Sequence, residues 1–161
     1  MSKSIGIVAE NALRRVLEGQ GAFCIRAAAS HGICDLIALG TGDVALIEVK
    51  ATRASKYHCS KTTGTAERLF TLARVAAQCG DNVLPVVAVY FAQLDEFRFY
   101  TPERVLKSPV GPHDADLDLE LALARPSPLE DSSPSVGFPL PLDRDVVEKL
   151  REIRREAEDG W

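Results

Sequence analysis

Apolar residues recur along the first two-thirds of the chain with two different periods, and the switches between those periods predict its elements. Residues 7–19 carry Val8, Ala9, Ala12, Leu13, Val16 and Leu17 at the three-and-four spacing of one helix face. Gly21 follows, where punctuation just beyond a helix end is expected. Residues 22–27 then alternate as a short strand, with Phe23 and Ile25 on one face and Cys24 and Arg26 on the other. Residues 28–33 contain Ser30 and Gly32 and read as a turn or mobile loop. Residues 35–39 form an apolar strand bounded by Gly40-Thr41-Gly42-Asp43, a hairpin turn signal. Residues 44–50 start almost wholly apolar, the pattern of a central strand covered on both faces. A polar, basic stretch spans 51–63. Helical periodicity returns over 65–79 through Leu69, Leu72, Ala73, Ala76 and Ala77 and stops at Gly80. Residues 84–91 are a second strongly apolar strand, and 96–100 alternate charged and aromatic residues as an edge strand would. The order α-β-β-β-α-β-β predicts an α/β domain with a central sheet flanked by helices.

The chain changes character after about residue 107. Residues 114–123 alternate acidic and apolar side chains, and 125–142 hold five of the nine prolines together with several serines. That stretch reads as a linker or extended arm. Residues 143–158 form a charged amphipathic pattern with Val146, Val147, Leu150 and Ile153 on one stripe. The expected division is a domain over 1–107, an acidic, Pro-rich extension over 108–142 and a C-terminal helix over 143–161. A chain of 161 residues accommodates one domain of this size plus an extension.

The net charge of −4 conceals a split. Residues 1–107 hold 13 Lys and Arg against 10 Asp and Glu, a surplus of three positive charges. Residues 108–161 hold 6 against 13, a deficit of seven. Affinity for phosphate follows where charge sits, so the first two-thirds can bind nucleic acid despite the acidic total. No run of about 20 apolar residues exists, which excludes a helical membrane span. The N-terminal residues are too polar for a signal peptide. Cys24, Cys34, Cys59 and Cys79 form no C-x-x-C pair and have no histidine at zinc-ligand spacing. Four reduced thiols in a cytoplasmic protein are the expectation.

The chemistry concentrates in Asp35 and, after twelve intervening residues, Glu48-Val49-Lys50. Residues two apart on a strand point the same way, so Glu48 and Lys50 share a face with Val49 behind them. A register near-symmetric about the 40–43 turn brings Asp35 beside Glu48 and Lys50. Two carboxylates and an ammonium then meet at one rim of the sheet. A plain salt bridge is the structural alternative. Charge ending an apolar strand is costly without compensation, and a divalent cation compensates clustered carboxylates well.

Asp35 followed by Glu48-Val49-Lys50 resembles the signature of the PD-(D/E)xK nuclease superfamily. Gly6 and Glu10 on the first helix, Gly21, Phe23 and Arg26 around the first strand and Ser30 in the next loop narrow the match. In order and spacing they resemble the archaeal-type Holliday junction resolvases, cellular or viral. Leu72-Ala73, Gly80 and Pro85 to Val89 continue the likeness, which covers roughly residues 4–105. Cys34 stands where that family usually has proline before the acid.

The resemblance implies a restriction-endonuclease-like mixed sheet and metal-dependent hydrolysis of a DNA phosphodiester. Glu10, Asp35, Glu48 and Lys50 would be the catalytic residues. Asp35 and Glu48 would ligate Mg²⁺, with Mn²⁺ able to substitute, the Val49 carbonyl a third ligand and Glu10 reaching in from its helix. Such a metal polarises the phosphate and lowers the pKa of the attacking water, while Lys50 orients that water or stabilises transition-state charge. Read alone, Glu10 is an acid favoured by the helix dipole, and Arg26 is a surface ion pair. Within the resemblance Arg26 holds a phosphate through its planar fork. Ser30 and His31 would touch the DNA backbone, His31 being otherwise an exposed loop histidine. Arg53, Lys56, Tyr57 and Lys61 form a basic strip beside the site, either a phosphate-binding surface or a solvated face.

The implied partners are four-way junction DNA and a second copy of the chain, since two symmetric cuts suit a twofold dimer. Phe97 and Phe99 are candidate interface anchors, with ordinary core packing as the alternative. Two other functions stay open at this point: another nuclease of the superfamily acting on duplex or branched DNA, and a catalytically silent junction-binding protein.

Overall fold

A computed structural model describes residues 3–27, 32–40 and 42–119. The elements follow the order expected. Helix α1 spans Lys3–Gly19 and strands β1, β2 and β3 span Phe23–Arg26, Leu36–Leu39 and Val44–Thr52. Helix α2 spans Thr65–Cys79, strands β4 and β5 span Val83–Phe91 and Glu96–Tyr100, and helix α3 spans Pro102–Lys107. Ser30, His31 and Thr41 lie outside the described residues, as do the Pro-rich stretch and the C-terminal helix expected after it.

The five strands form one mixed sheet in sequential order, β1 to β5. β1, β2 and β3 pair antiparallel, β3 and β4 pair parallel, and β5 returns antiparallel on β4. α2 makes the crossover that a parallel pair requires. In the β2–β3 hairpin Leu36 faces Ile47 and Leu39 faces Val44. The turn is closed by the Gly40 amide donating to the Asp43 carbonyl at 2.8 Å. This is the symmetric register expected from the turn residues.

The near-continuous apolar character of β3 and β4 follows from burial on both faces. Ala45, Ile47, Val49 and Ala51 pack with Ala9, Leu13 and Leu17 of α1. Leu46 of β3, with Val87, Val89 and Phe91 of β4, packs with Leu69, Leu72 and Ala76 of α2. Each fully buried leucine of these layers contributes about 1.5–3 kcal/mol. Glycine ends both long helices. Gly21, at φ 94°, lets the Ala22 amide turn back to the Leu17 carbonyl, and Gly80, at φ 122°, follows α2.

The chain that follows α3 still packs on the sheet. Val110 and Leu119 are buried, Val110 bridges Tyr57, and Leu117 bridges Phe99. The Tyr100 hydroxyl donates to the Gly111 carbonyl at 2.5 Å. A compact unit runs from Met1 to Pro126. Packed chain thus continues beyond Lys107, the end read from sequence. All four cysteines are free. Among the described residues no helix is long and apolar enough to cross a membrane.

Candidate active site

The hairpin register places the Asp35 end of β2 against the middle of β3. The Asp35 amide donates to the Ile47 carbonyl, and the Asp35 carbonyl accepts from the Ala27 amide. Its side chain turns across to β3, where Oδ2 accepts the Val49 amide at 2.8 Å. Glu48 and Lys50 project on the α2 side, as alternation along a strand requires. Lys50 Nζ donates to Glu48 Oε1 at 2.6 Å. Asp35, Glu48 and Lys50 are therefore gathered as the sequence led one to expect.

Glu48 is only 1% exposed, the one charged residue buried among those described. Burial pushes its carboxyl above the ordinary value of 4.5. Lys50 opposes that shift, Asp35 adds to it, and Arg68 opposes it. Two cations within hydrogen-bond reach do not outweigh the loss of water, so the carboxylate is held at a cost.

Arg68 was not a candidate from sequence. It lies in the first turn of α2, and its Nη2 is 3.0 Å from Glu48 Oε2, 3.7 Å from Asp35 Oδ1 and 3.5 Å from the Gly32 carbonyl. It sits one residue before the buried Leu69, on a helix whose apolar stripe drew attention to Leu69, Leu72 and Ala76 instead. No short-range motif links residue 68 to residues 35 and 48.

Glu10 is placed differently. It stands on α1, which covers the opposite face of the sheet, and its Oε2 is held by Arg26 through Nε at 3.1 Å and Nη2 at 3.0 Å. Arg26 pairs with Leu36 at the start of β2, so this ion pair lies at the same end of the sheet as Asp35. Among the described residues no three His, Cys, Asp or Glu side chains converge as a metal-binding set. The structure brings together two of the three expected acids and leaves Glu10 with Arg26.

Arg53, Lys56 and Lys61 are exposed along the segment after β3, as a phosphate-facing strip requires. Tyr57 departs from that strip. Its ring is half-buried against the α2-side core, its backbone pairs with Val110, and burial raises its hydroxyl pKa far above normal. The structure assigns it packing. Phe99 is likewise core, and Phe97 stacks obliquely on Tyr90 with ring centroids 5.1 Å apart. Phe99 is closed to an interface, whereas Phe97 is partly exposed beside Val8 and Val16 of α1.

The donor set fits a small divalent cation. Glu48 and Asp35 each turn a carboxylate oxygen toward the same cationic nitrogen of Arg68, so the two oxygens already share one cation position. Mg²⁺ uses one or two carboxylates with retained waters and phosphate oxygens. The Val49 amide holds the other Asp35 oxygen, Oδ2, which leaves Oδ1 toward that position.

The model of the archaeal Holliday junction resolvase (Hjc) family matches residues 1–125. The chain belongs to this family. The function that goes with it is that of a Holliday junction resolvase nuclease, acting on junction DNA. Among solved structures, the chain is similar to Hjc of Archaeoglobus fulgidus, a Holliday junction resolvase from an archaeal hyperthermophile. The two are 21% identical, with 70% of this chain and 94% of that one covered at a TM-score of 0.54. A bacterial homing endonuclease matches at 13% identity and a TM-score of 0.48, covering 76% of this chain and 86% of that one. The fold is restriction-endonuclease-like: a mixed five-stranded sheet flanked by helices. The family match extends about 20 residues past the part in which the likeness is visible by eye, through the chain that packs after α3.

Proposed function

We propose that this resolvase cuts four-way junctions by Mg²⁺-dependent hydrolysis at a centre made of Asp35, Glu48 and Lys50. The observation that carries the reading is the convergence of Asp35 and Glu48 on one cation position beside the Lys50 ammonium. When bound there, the ion supplies Lewis-acid polarisation of the phosphate and a more acidic water. Asp35 and Glu48 would hold it, with the Val49 carbonyl as a third donor. Asp35 is aimed by its bond to the Val49 amide, which leaves Oδ1 for the ion. Lys50, 2.6 Å from Glu48 Oε1 and off the oxygen at the cation position, would orient the nucleophile or meet charge on the phosphate oxygens.

Glu10 and Arg26 flank the same end of the sheet from the other face. Arg26 offers a planar fork to a backbone phosphate. To act as a ligand Glu10 has to release Arg26, and a phosphate arriving on Arg26 supplies the exchange. Ser30 and His31, outside the described residues, are further proposed contacts to the DNA backbone, as are the exposed Arg53, Lys56 and Lys61. A homodimer presents two such centres with matching polarity. Apolar surface that a second copy could cover includes Phe23 and Ile25 on the edge strand β1, exposed at 63% and 45%, and Val8 and Val16 on α1.

The test is cleavage of a four-way junction, a linear duplex and a flap, with Mg²⁺ and with chelator. Symmetric nicking of the junction alone, only with metal, is expected. Equal cutting of the duplex points to another nuclease specificity. Junction binding without cutting points to a silent binding protein.

A further inference from the structure

Arg68 stands where a metal ion would. Its Nη2 bridges Glu48 Oε2 and Asp35 Oδ1, the two oxygens that face each other across the centre. Three observations bear on what it does there. Glu48 is 1% exposed and needs cationic compensation on both oxygens; Lys50 takes Oε1 and Arg68 takes Oε2. Arg68 lies in the first turn of α2, where the positive pole of the helix disfavours a cation, so its carboxylate partners are what hold it. Its side chain is 40% exposed, so the guanidinium can leave for solvent without opening a cavity in the core. A divalent ion at that point competes for the same oxygens and repels the guanidinium.

We propose that Arg68 is the resident cation of this site, a positioning residue that bridges Asp35 and Glu48 until a divalent ion displaces it. This rests on the metal-dependent reading above. Before the ion binds, Arg68 keeps the two like-charged carboxylates together in the geometry the ion needs. On displacement the guanidinium, already 40% exposed, moves out into solvent.

The experiment measures Mn²⁺ binding to the full chain without DNA, by electron paramagnetic resonance of free Mn²⁺. Wild type, Arg68→Gln, Arg68→Lys and Asp35→Asn are compared, with melting temperatures in chelator. Arg68→Gln should bind Mn²⁺ at least fivefold more tightly while melting lower in chelator, since Glu48 then loses a cation. Arg68→Lys keeps a charge and should stay within about twofold of wild type. Unchanged or weaker Mn²⁺ binding by Arg68→Gln overturns the proposal while leaving the metal site intact. Absent binding by wild type, or binding by Asp35→Asn equal to wild type, removes the metal reading and the Arg68 role with it. A second measurement needs no folded Gln variant. In wild type, the Arg68 Nε–Hε resonance, assigned by its loss in Arg68→Lys, should shift and sharpen toward the free-arginine position on saturation with Mg²⁺. An unmoved resonance overturns displacement.

Discussion

Asp35 uses its two carboxylate oxygens for different purposes, and substitutions can separate them. Oδ2 accepts the Val49 amide at 2.8 Å, while Oδ1 faces the cation position. Val49 is 7% exposed, so its amide has little access to water. Asp35→Ala removes the acceptor and leaves a buried N–H unpaired, at about 1–3 kcal/mol. The Asp35 side chain is 21% exposed, so water partly replaces it and the lower half, about 1–2 kcal/mol, is the better figure. For a chain of this size that is a fall of roughly 3–6 °C in Tm. Asp35→Asn keeps an amide oxygen for Val49 and should melt within about 1 °C of wild type. Both variants lose the ligand oxygen and should lose junction cleavage. Calorimetry in chelator and a labelled-junction cleavage assay read the two effects separately. An Asn variant as unstable as the Ala variant refutes the division of labour between the oxygens. An Asn variant that cuts at the wild-type rate removes Asp35 from the centre.

Three further outcomes follow from named contacts. The Glu48 carboxyl is raised above its unfolded value of 4.5, so between 4.5 and its folded pKa the native state holds a proton that the unfolded state has lost. Stability from this group is therefore present below pH 4.5 and lost as pH rises through the folded pKa. In chelator, the stability of Glu48→Gln relative to wild type should improve across that window and then level off; a flat difference contradicts the assignment. Replacing Arg53, Lys56 and Lys61 by Gln should weaken junction binding alike for all sequences and reduce the salt slope by about one per lost phosphate contact; an unchanged slope marks the strip as a solvated face. Tyr100→Phe leaves the Gly111 carbonyl without its donor and should cost about 1–2 kcal/mol in urea denaturation, and the native Tyr100 hydroxyl, pushed up by burial, should titrate only near pH 12.

The hairpin and its acids could be read before the structure because the information is local. Gly40, Gly42 and Asp43 specify a turn, the turn sets the register, and strand alternation then decides which faces Asp35, Glu48 and Lys50 share. What escaped reading depends on contacts made far along the chain. Arg68 meets Glu48 only because α2 crosses the sheet, and its neighbours in sequence carry no sign of it. Tyr57 looked like part of a basic strip, but Val110, more than fifty residues on, draws it inward. The Leu117–Phe99 bridge and the burial of Val110 and Leu119 keep residues 108–119 on the domain, although their acidic, alternating composition suggests an extension. On α1, Val8 and Val16 share the apolar period with Leu13 and Leu17 yet stay 66% and 44% exposed. Periodicity reports the width of an apolar stripe and not how much of it finds a partner. The Glu10–Arg26 pair shows the same limit: each residue was singled out, but their mutual contact depends on where α1 lies over β1.

The most direct test of the account is single-turnover cleavage of an end-labelled four-way junction by wild type and Glu48→Gln, in Mg²⁺ and in chelator. Paired, symmetric nicks by wild type in Mg²⁺ alone are expected, with no product from Glu48→Gln despite junction binding close to wild type. Wild-type nicking in chelator, or product from Glu48→Gln at an undiminished rate, would contradict a metal centre built on the buried carboxylate of β3.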